Sequence, residues 1–245
     1  MKKDTIYATA DQGDAPFRFD VSVAKVFPDM LRRSIPGYAA SLEAIGSLAA
    51  RYVRADSNCY DLGCSLGAAT LAMRQGIRVP GCRIIAIDNA PAMIERCQQV
   101  IAQDDKKHPQ RAPVDVVLAD IRDVAIANAS MIVMNYTLQF VAVPDRDDVV
   151  GRICDGLNPG GLFLLSEKVM DEDPHMEELL VELHHEHKRR NAYSELEISR
   201  KRAALENVLV PESVATHRSR LACAGFTHTA VWLRNFNFVS IVALK

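Results

Sequence analysis

Tyr60-Asp61-Leu62-Gly63-Cys64-Ser65-Leu66-Gly67 begins apolar, reaches an acid and then passes into small residues. That order describes a buried strand breaking into a tight turn, because small residues let a backbone take positive φ or come close to a ligand. Ala68-Ala69-Thr70-Leu71-Ala72-Met73-Arg74 follows as a helix whose free first-turn N–H groups face the same spot. The turn predicts a nucleoside ligand at the carboxyl end of the first strand. Two ligand classes use such a turn. A dinucleotide needs Gly-x-Gly-x-x-Gly/Ala so that its pyrophosphate can rest on the helix N-terminus. Gly63, Ser65 and Ala68 mimic that spacing imperfectly. Asp61 favours the other class, since an acid at the strand end repels a pyrophosphate but attracts the ammonium and sulfonium of S-adenosylmethionine. On its own the turn also fits an ordinary strand-to-helix connection with Asp61 as a cap.

Outward from this turn the pattern alternates. Strands are predicted at 58–62, 83–87, 114–118, 130–134 and 162–166, with helices at 68–75, 92–103 and 145–157 between them. The strands are continuously apolar, which marks a mostly parallel, doubly wound α/β sheet covered on both faces. Before the first strand, the apolar spacing from Phe19 predicts a short helix broken at Pro28, and Pro36-Gly37 predicts a turn that leaves Tyr38 in a loop. A helix at 41–53 leads into the sheet. Residues 1–18 are polar and turn-rich, and are expected to be mobile or draped over the surface. After the fifth strand, a charged helical stretch at 171–207 interrupts the alternation as a candidate lid or interface insertion. A helix at 213–224, ended by Gly225, then precedes two apolar stretches suited to an antiparallel C-terminal hairpin. Residues 1–40 are expected to form an N-terminal extension covering the ligand, and 41–245 one domain carrying the insertion.

Composition narrows the class. A chain of 245 residues, 49% apolar, can bury a substantial core. Its 29 basic and 31 acidic residues leave a net charge of −2, which offers no global attraction for nucleic acid or an anionic membrane and leaves only a local patch to provide one. Six cysteines without C-x-x-C spacing, and an N-terminus lacking an apolar leader, suggest a reduced, cytoplasmic protein.

Ligands of an open α/β sheet bind beyond the carboxyl ends of its strands. Asp88 and Asn89 follow the second strand, where a carboxylate can accept both hydroxyls of a ribose. Asp120 and Ile121 follow the third, where an acid can meet an adenine amino group while the isoleucine packs on the ring. Asn135-Tyr136-Thr137 follows the fourth, where an amide can touch the ligand. Each alone is also a common turn or capping residue. Four polar strand ends in register are harder to explain that way.

With Asp61-x-Gly63-x-Ser65-x-Gly67, the acids after strands two and three, and Leu157-Asn158-Pro159-Gly160-Gly161, the chain resembles class I S-adenosylmethionine-dependent methyltransferases over about residues 40–168. That likeness implies a Rossmann-like sheet of seven strands. Arg33–Tyr38, Asp61–Thr70, Ala86–Glu95, Thr137–Phe140 and Tyr193–Ser199 are, more narrowly, similar to the carboxy-S-adenosyl-L-methionine synthase family, across most of the chain. This second resemblance implies that S-adenosylmethionine is a substrate, carboxylated on its own methyl group to carboxy-S-adenosylmethionine. Prephenate is implied as the carbon dioxide source and phenylpyruvate as by-product. The product would then serve a separate tRNA carboxymethyltransferase in wobble-uridine modification. By the same likeness Tyr38, Gly63, Cys64 and Ser65 contact the S-adenosyl ligand. So do Asp88, Asn89, Asp120, Ile121 and Asn135. Arg202 is implied to hold the new carboxylate, a role suited to a planar guanidinium. The family resemblance implies phenylalanine where Tyr136 stands, so its extra hydroxyl needs a partner if buried.

Three further features were open to a chemical reading. His184 and His187 share a helix face, but no His-Glu-x-x-His arrangement exists and no metal is expected. Lys188-Arg189-Arg190 can bind an anionic dicarboxylate or a partner subunit, or simply be solvated. Cys64 has no sequence-local base to activate it, so its backbone is the expected contact. A homodimer is suggested by the size of the insertion. An ordinary methyltransferase for a small acceptor, and a noncatalytic S-adenosylmethionine-binding module, are the alternative functions.

Overall fold

The computed structural model describes residues 2–8 and 16–245. Two helices, α1 (Val21–Ser34) and α2 (Tyr38–Tyr52), precede the sheet. Then come β1 (Asn58–Leu62), α3 (Ala68–Gly76), β2 (Arg83–Asp88), α4 (Pro91–Lys107), β3 (Val114–Leu118) and β4 (Ala129–Asn135). The chain continues through α5 (Arg146–Gly156) into β5 (Leu157–Met170), the helical pair α6 (Pro174–Arg190) and α7 (Glu195–Leu205), and a two-residue β6 (Glu212–Ser213). It closes with α8 (Val214–Cys223), β7 (His228–Asn235) and β8 (Phe238–Leu244).

Seven strands lie in the order β3-β2-β1-β4-β5-β8-β7, and β6 pairs with the far end of β5. The first five are parallel, and β8 runs antiparallel between β5 and β7. Chain order reverses between β1 and β4, which opens a crevice at their carboxyl ends. β4 shows why these strands are apolar throughout: Ile132 and Met134 join the core under α5 and α8, while Met131 and Val133 join the core under α2 and α3. All four are fully buried, each contributing about 1.5–3 kcal/mol of apolar transfer. Arg74, itself almost fully buried, ties α3 to α4 through Asp104 at 2.8 Å. No helix among the described residues is long and apolar enough to cross a membrane.

Four local expectations are corrected. Pro28 sits inside α1 without ending it, because the apolar face made by Val23, Val26, Phe27 and Met30 is buried on both sides of the proline. Tyr38 begins α2 rather than sitting in a loop: Gly37 takes φ 75°, which turns the chain straight into the helix. β5 is far longer than predicted. Asn158–Gly161 form a bulge, across which the pairing with β4 jumps from Ala129↔Leu157 to Met131↔Leu162, and the other end extends to Met170 along β8. Finally, the described part of the N-terminal stretch is held down. Asp4 is 1% exposed, accepts the Tyr193 hydroxyl at 2.6 Å and donates its own N–H to Asp29 at 2.8 Å. Phe17 donates its N–H to the Ala204 carbonyl at 2.9 Å. Met1 and residues 9–15 lie outside the described residues.

Candidate active site

A cleft of about 1260 Å³ opens at the carboxyl ends of the parallel strands. Every site residue singled out from the sequence lines it. The turn after β1 supplies Gly63, Cys64 and Ser65, and its shape depends on glycine. Gly63 holds φ 83°, and a Cβ there would lie 2.2 Å from the Thr137 hydroxyl oxygen. The N–H groups of Gly63 and Cys64 both donate to the Ile87 carbonyl at 2.8 Å, so these two amides are already engaged. The thiol of Cys64 is pushed far up by its hydrogen bond with Cys97 and by burial, which leaves it without nucleophilic character.

The three acids at the strand ends differ in state. Asp61 is fully buried; Thr70 donates its hydroxyl to one carboxylate oxygen at 2.5 Å, and the other has no partner among the described residues. Burial raises this group to about 6, and the charge of Asp88 adds to the rise. Asp88 accepts N–H groups from Ser65 and from Ala90, each at 2.9 Å, and is also raised by burial. It therefore braces the Gly63–Ser65 turn while keeping lone pairs for a ligand. Asp120 lies opposite in character. Arg122 holds it below the usual carboxylate range through contacts of 2.9 and 3.0 Å. Ile121 is buried beside it, Asn89 is exposed, and Asn135 carries a second buried oxygen without a partner among the described residues. Tyr38 stands at the N-terminus of α2, and its hydroxyl is held protonated by burial.

β5 and the insertion also line the cleft, and their cations outnumber the two glutamates, Glu177 and Glu206, that they bring to it. Lys168 from β5, Lys188 from α6, and Lys201 with Arg202 from α7 all line the cleft. Lys188 and Lys201 are 8% and 6% exposed. Burial lowers them to about 7 and about 8 respectively, with Lys201, Lys168 and Arg202 adding to the effect on Lys188. Arg202 is exposed to the cleft and forms no ion pair among the described residues. α7 starts on a capping box, Ser194 with Glu197, which sets its first turn.

Lys188-Arg189-Arg190 is divided by the helix. Lys188 turns inward, whereas Arg189 pairs with Glu182 at 2.7 Å and with Glu195 at 2.5 Å, and Arg190 pairs with Glu186 at 3.0 Å. His184 is buried against Phe238 and donates its Nε2–H to the Ser34 carbonyl at 2.9 Å. Burial drives it down to about 2, so it stays neutral. Lys168 was missed from the sequence although the strand-end rule, applied to the fifth strand as to the other four, points to it. Lys201 carried no such signal.

Residues 60–161 match a methyltransferase domain family. The chain is 52% identical over 243 residues to the carboxy-S-adenosyl-L-methionine synthase of Klebsiella pneumoniae (strain 342), covering 99% of this chain and 97% of that protein. It is 51% identical to the synthase of the same name from Trichlorobacter lovleyi, covering 100% and 99%. The chain belongs to the carboxy-S-adenosyl-L-methionine synthase family.

Solved structures place this synthase-family chain in the methyltransferase fold. Human N-acetylserotonin methyltransferase in complex with SAM superposes with a TM-score of 0.61 at 17% identity, covering 92% of this chain and 55% of that one. A putative O-methyltransferase from Nostoc punctiforme gives 0.62 at 16% identity, covering 92% and 60%. Tyr136 takes φ 63° and packs edge-on to Phe238 at 5.9 Å. It is half-buried on the cleft wall, and its hydroxyl makes no hydrogen bond with the described residues. The hydroxyl is thus a polar feature of the cleft, not a buried orphan.

Proposed function

We propose that this chain carboxylates the methyl group of S-adenosylmethionine, with prephenate as the carbon dioxide source and phenylpyruvate as by-product. The family supplies S-adenosylmethionine as substrate and carboxy-S-adenosylmethionine as product. The observation that carries the finer reading is the division of charge within one cleft. Acids stand at the strand ends, and β5 with the insertion brings four lysine or arginine side chains to the same cleft against two glutamates, Glu177 and Glu206. The acidic end suits a ligand with an ammonium and a sulfonium. Asp61 and Asn135 each offer it a buried oxygen that lacks a donor. The cationic wall exceeds what the single carboxylate of S-adenosylmethionine requires, and it suits a dicarboxylate such as prephenate.

The atoms balance without an added reductant or metal. Prephenate becomes aromatic by losing carbon dioxide and its ring hydroxyl. The hydroxyl takes one proton from the acidic sulfonium methyl group and departs as water, and the carbon dioxide joins that methyl carbon as a carboxylate. The role of the protein is to hold both substrates in contact and to keep bulk water from competing. α6 and α7 form the wall that does so. Arg202 receives the new carboxylate. On the same reading the product goes to a separate tRNA carboxymethyltransferase acting on wobble uridine, in the cytoplasm. The chain works as a homodimer and, at a net charge of −2, does not itself hold tRNA.

Mass spectrometry of small molecules after incubating the protein with S-adenosylmethionine and prephenate tests this. The expected result is a cofactor heavier by one carbon dioxide, together with phenylpyruvate. Unmodified S-adenosylmethionine with no prephenate consumed would return the chain to methyl transfer or simple binding.

Asp61 makes a pH prediction. It titrates at about 6 in the folded chain, against 3.8 for a free aspartate, and a cationic ligand favours its charged form. Affinity for S-adenosylmethionine should therefore climb with pH toward about 6 and level off above it, because below that value the ligand must displace a proton. Calorimetric titrations between pH 5 and 8 check this, and a flat or falling profile below pH 6 would contradict it.

A further inference from the structure

Lys188 is 8% exposed and faces a cleft rather than a partner side chain, and no carboxylate forms an ion pair with it or with Lys168 among the described residues. A buried ammonium costs several kcal/mol unless an anion answers it. The charges around it mostly repel. Lys201 and Arg202 face it from α7 and Lys168 from β5, while His184 and His185 share its own helix. Glu177 of α6 lies nearer to Lys168 and spends one oxygen on the Asp171 N–H at 2.7 Å. Lys201 is otherwise occupied, donating to the Ser34 hydroxyl at 3.1 Å with Asp4 as its countercharge. Lys168 and Lys188 are left as two mutually repelling cations that line the cleft from different elements, both less exposed than Arg202.

We propose that Lys168 and Lys188 form a second carboxylate subsite in the cleft, which anchors the carboxylate that the carbon dioxide donor keeps after reaction. This rests on the prephenate reading above. The retained group is specified by the chemistry. A strong cationic clamp on the departing carboxylate would stabilise the ground state against loss of carbon dioxide, whereas a clamp on the carboxylate that survives in phenylpyruvate binds substrate and transition state alike. Lys188 is lowered to about 7, so the subsite weakens as its ammonium loses its proton on the alkaline side of that value.

The test compares wild type with Lys168→Met, Lys188→Met and Lys188→Arg, using prephenate as substrate and phenylpyruvate as inhibitor. Methionine keeps the length and packing of the lysine stem, and S-adenosylmethionine affinity measured on each variant reports an intact cleft. Each methionine variant should raise the KM for prephenate and the inhibition constant of phenylpyruvate by about tenfold, with kcat and S-adenosylmethionine affinity nearly unchanged. In wild type the KM should rise as pH passes from about 7 to about 9, and Lys188→Arg should keep a low KM and flatten that rise, since a guanidinium does not titrate there. An unchanged KM in both methionine variants overturns the subsite. So does a lower kcat at constant KM, which would place the lysines in the chemistry, or a selective loss of S-adenosylmethionine affinity, which would give them the methionine carboxylate. Wild type that consumes no prephenate fails the functional reading and the subsite together; active wild type with unaltered variants fails the subsite alone.

Discussion

Arg202→Ala should lower prephenate-dependent kcat/KM by about 10²–10³ while leaving the affinity for S-adenosylmethionine within about twofold. The asymmetry follows from what the side chain meets. Arg202 sits near the end of α7, exposed to the cleft, with no ion pair among the described residues to occupy its guanidinium. S-adenosylmethionine does not yet carry the carboxylate that Arg202 is proposed to receive, so its binding is spared. The product does carry it, and carboxy-S-adenosylmethionine should bind the variant roughly 10–10²-fold more weakly, because hydrogen bonds to a charged group contribute about 1.5–3 kcal/mol. Steady-state kinetics and calorimetry with both ligands measure this. Full prephenate turnover in the variant would remove Arg202 from the reaction.

Asp88→Ala is expected to weaken S-adenosylmethionine binding by about 10²-fold, through two losses that act together. The carboxylate is the proposed acceptor for the ribose hydroxyls. It also accepts the N–H groups of Ser65 and Ala90, which holds the β1 turn against the start of α4. Without it, two partly buried donors lose their acceptor and the turn that cradles the ligand loosens. A thermal melt of the ligand-free variant separates the effects, since the turn alone should account for about 1–3 kcal/mol of stability. Normal binding by Asp88→Ala would mean that the ribose is held elsewhere.

Much of the architecture was legible because it depends on local rules. Continuous apolar strands alternating with helices require a sheet covered on both faces, and β3 came out with the predicted ends because its short apolar run is bounded by Pro113 and by Ala119-Asp120. The strand-end rule brought residues distant in sequence, such as Asp88, Asp120 and Asn135, to one cleft. It works because a parallel sheet puts every carboxyl end on one edge. Propensity misled where packing outweighed it. Pro28 lies inside α1 because the buried face of that helix continues past it, and Asn158–Gly161 reads as a loop yet stays within β5 as a bulge.

Sequence by itself determined the run of strands and helices, the glycine turn after β1 and the acids at the strand ends, since each follows from the residue types and their spacing over a few positions. Only the tertiary structure decided the cationic wall. Lys188, Arg189 and Arg190 are chemically alike and adjacent, yet one faces the cleft and two face glutamates on the outer side. Helical spacing tells which residues share a face, but which face turns inward depends on how α6 docks over the sheet. The burial of Asp4 against Tyr193 has the same origin, because the two are 189 positions apart and nothing local to either predicts the contact.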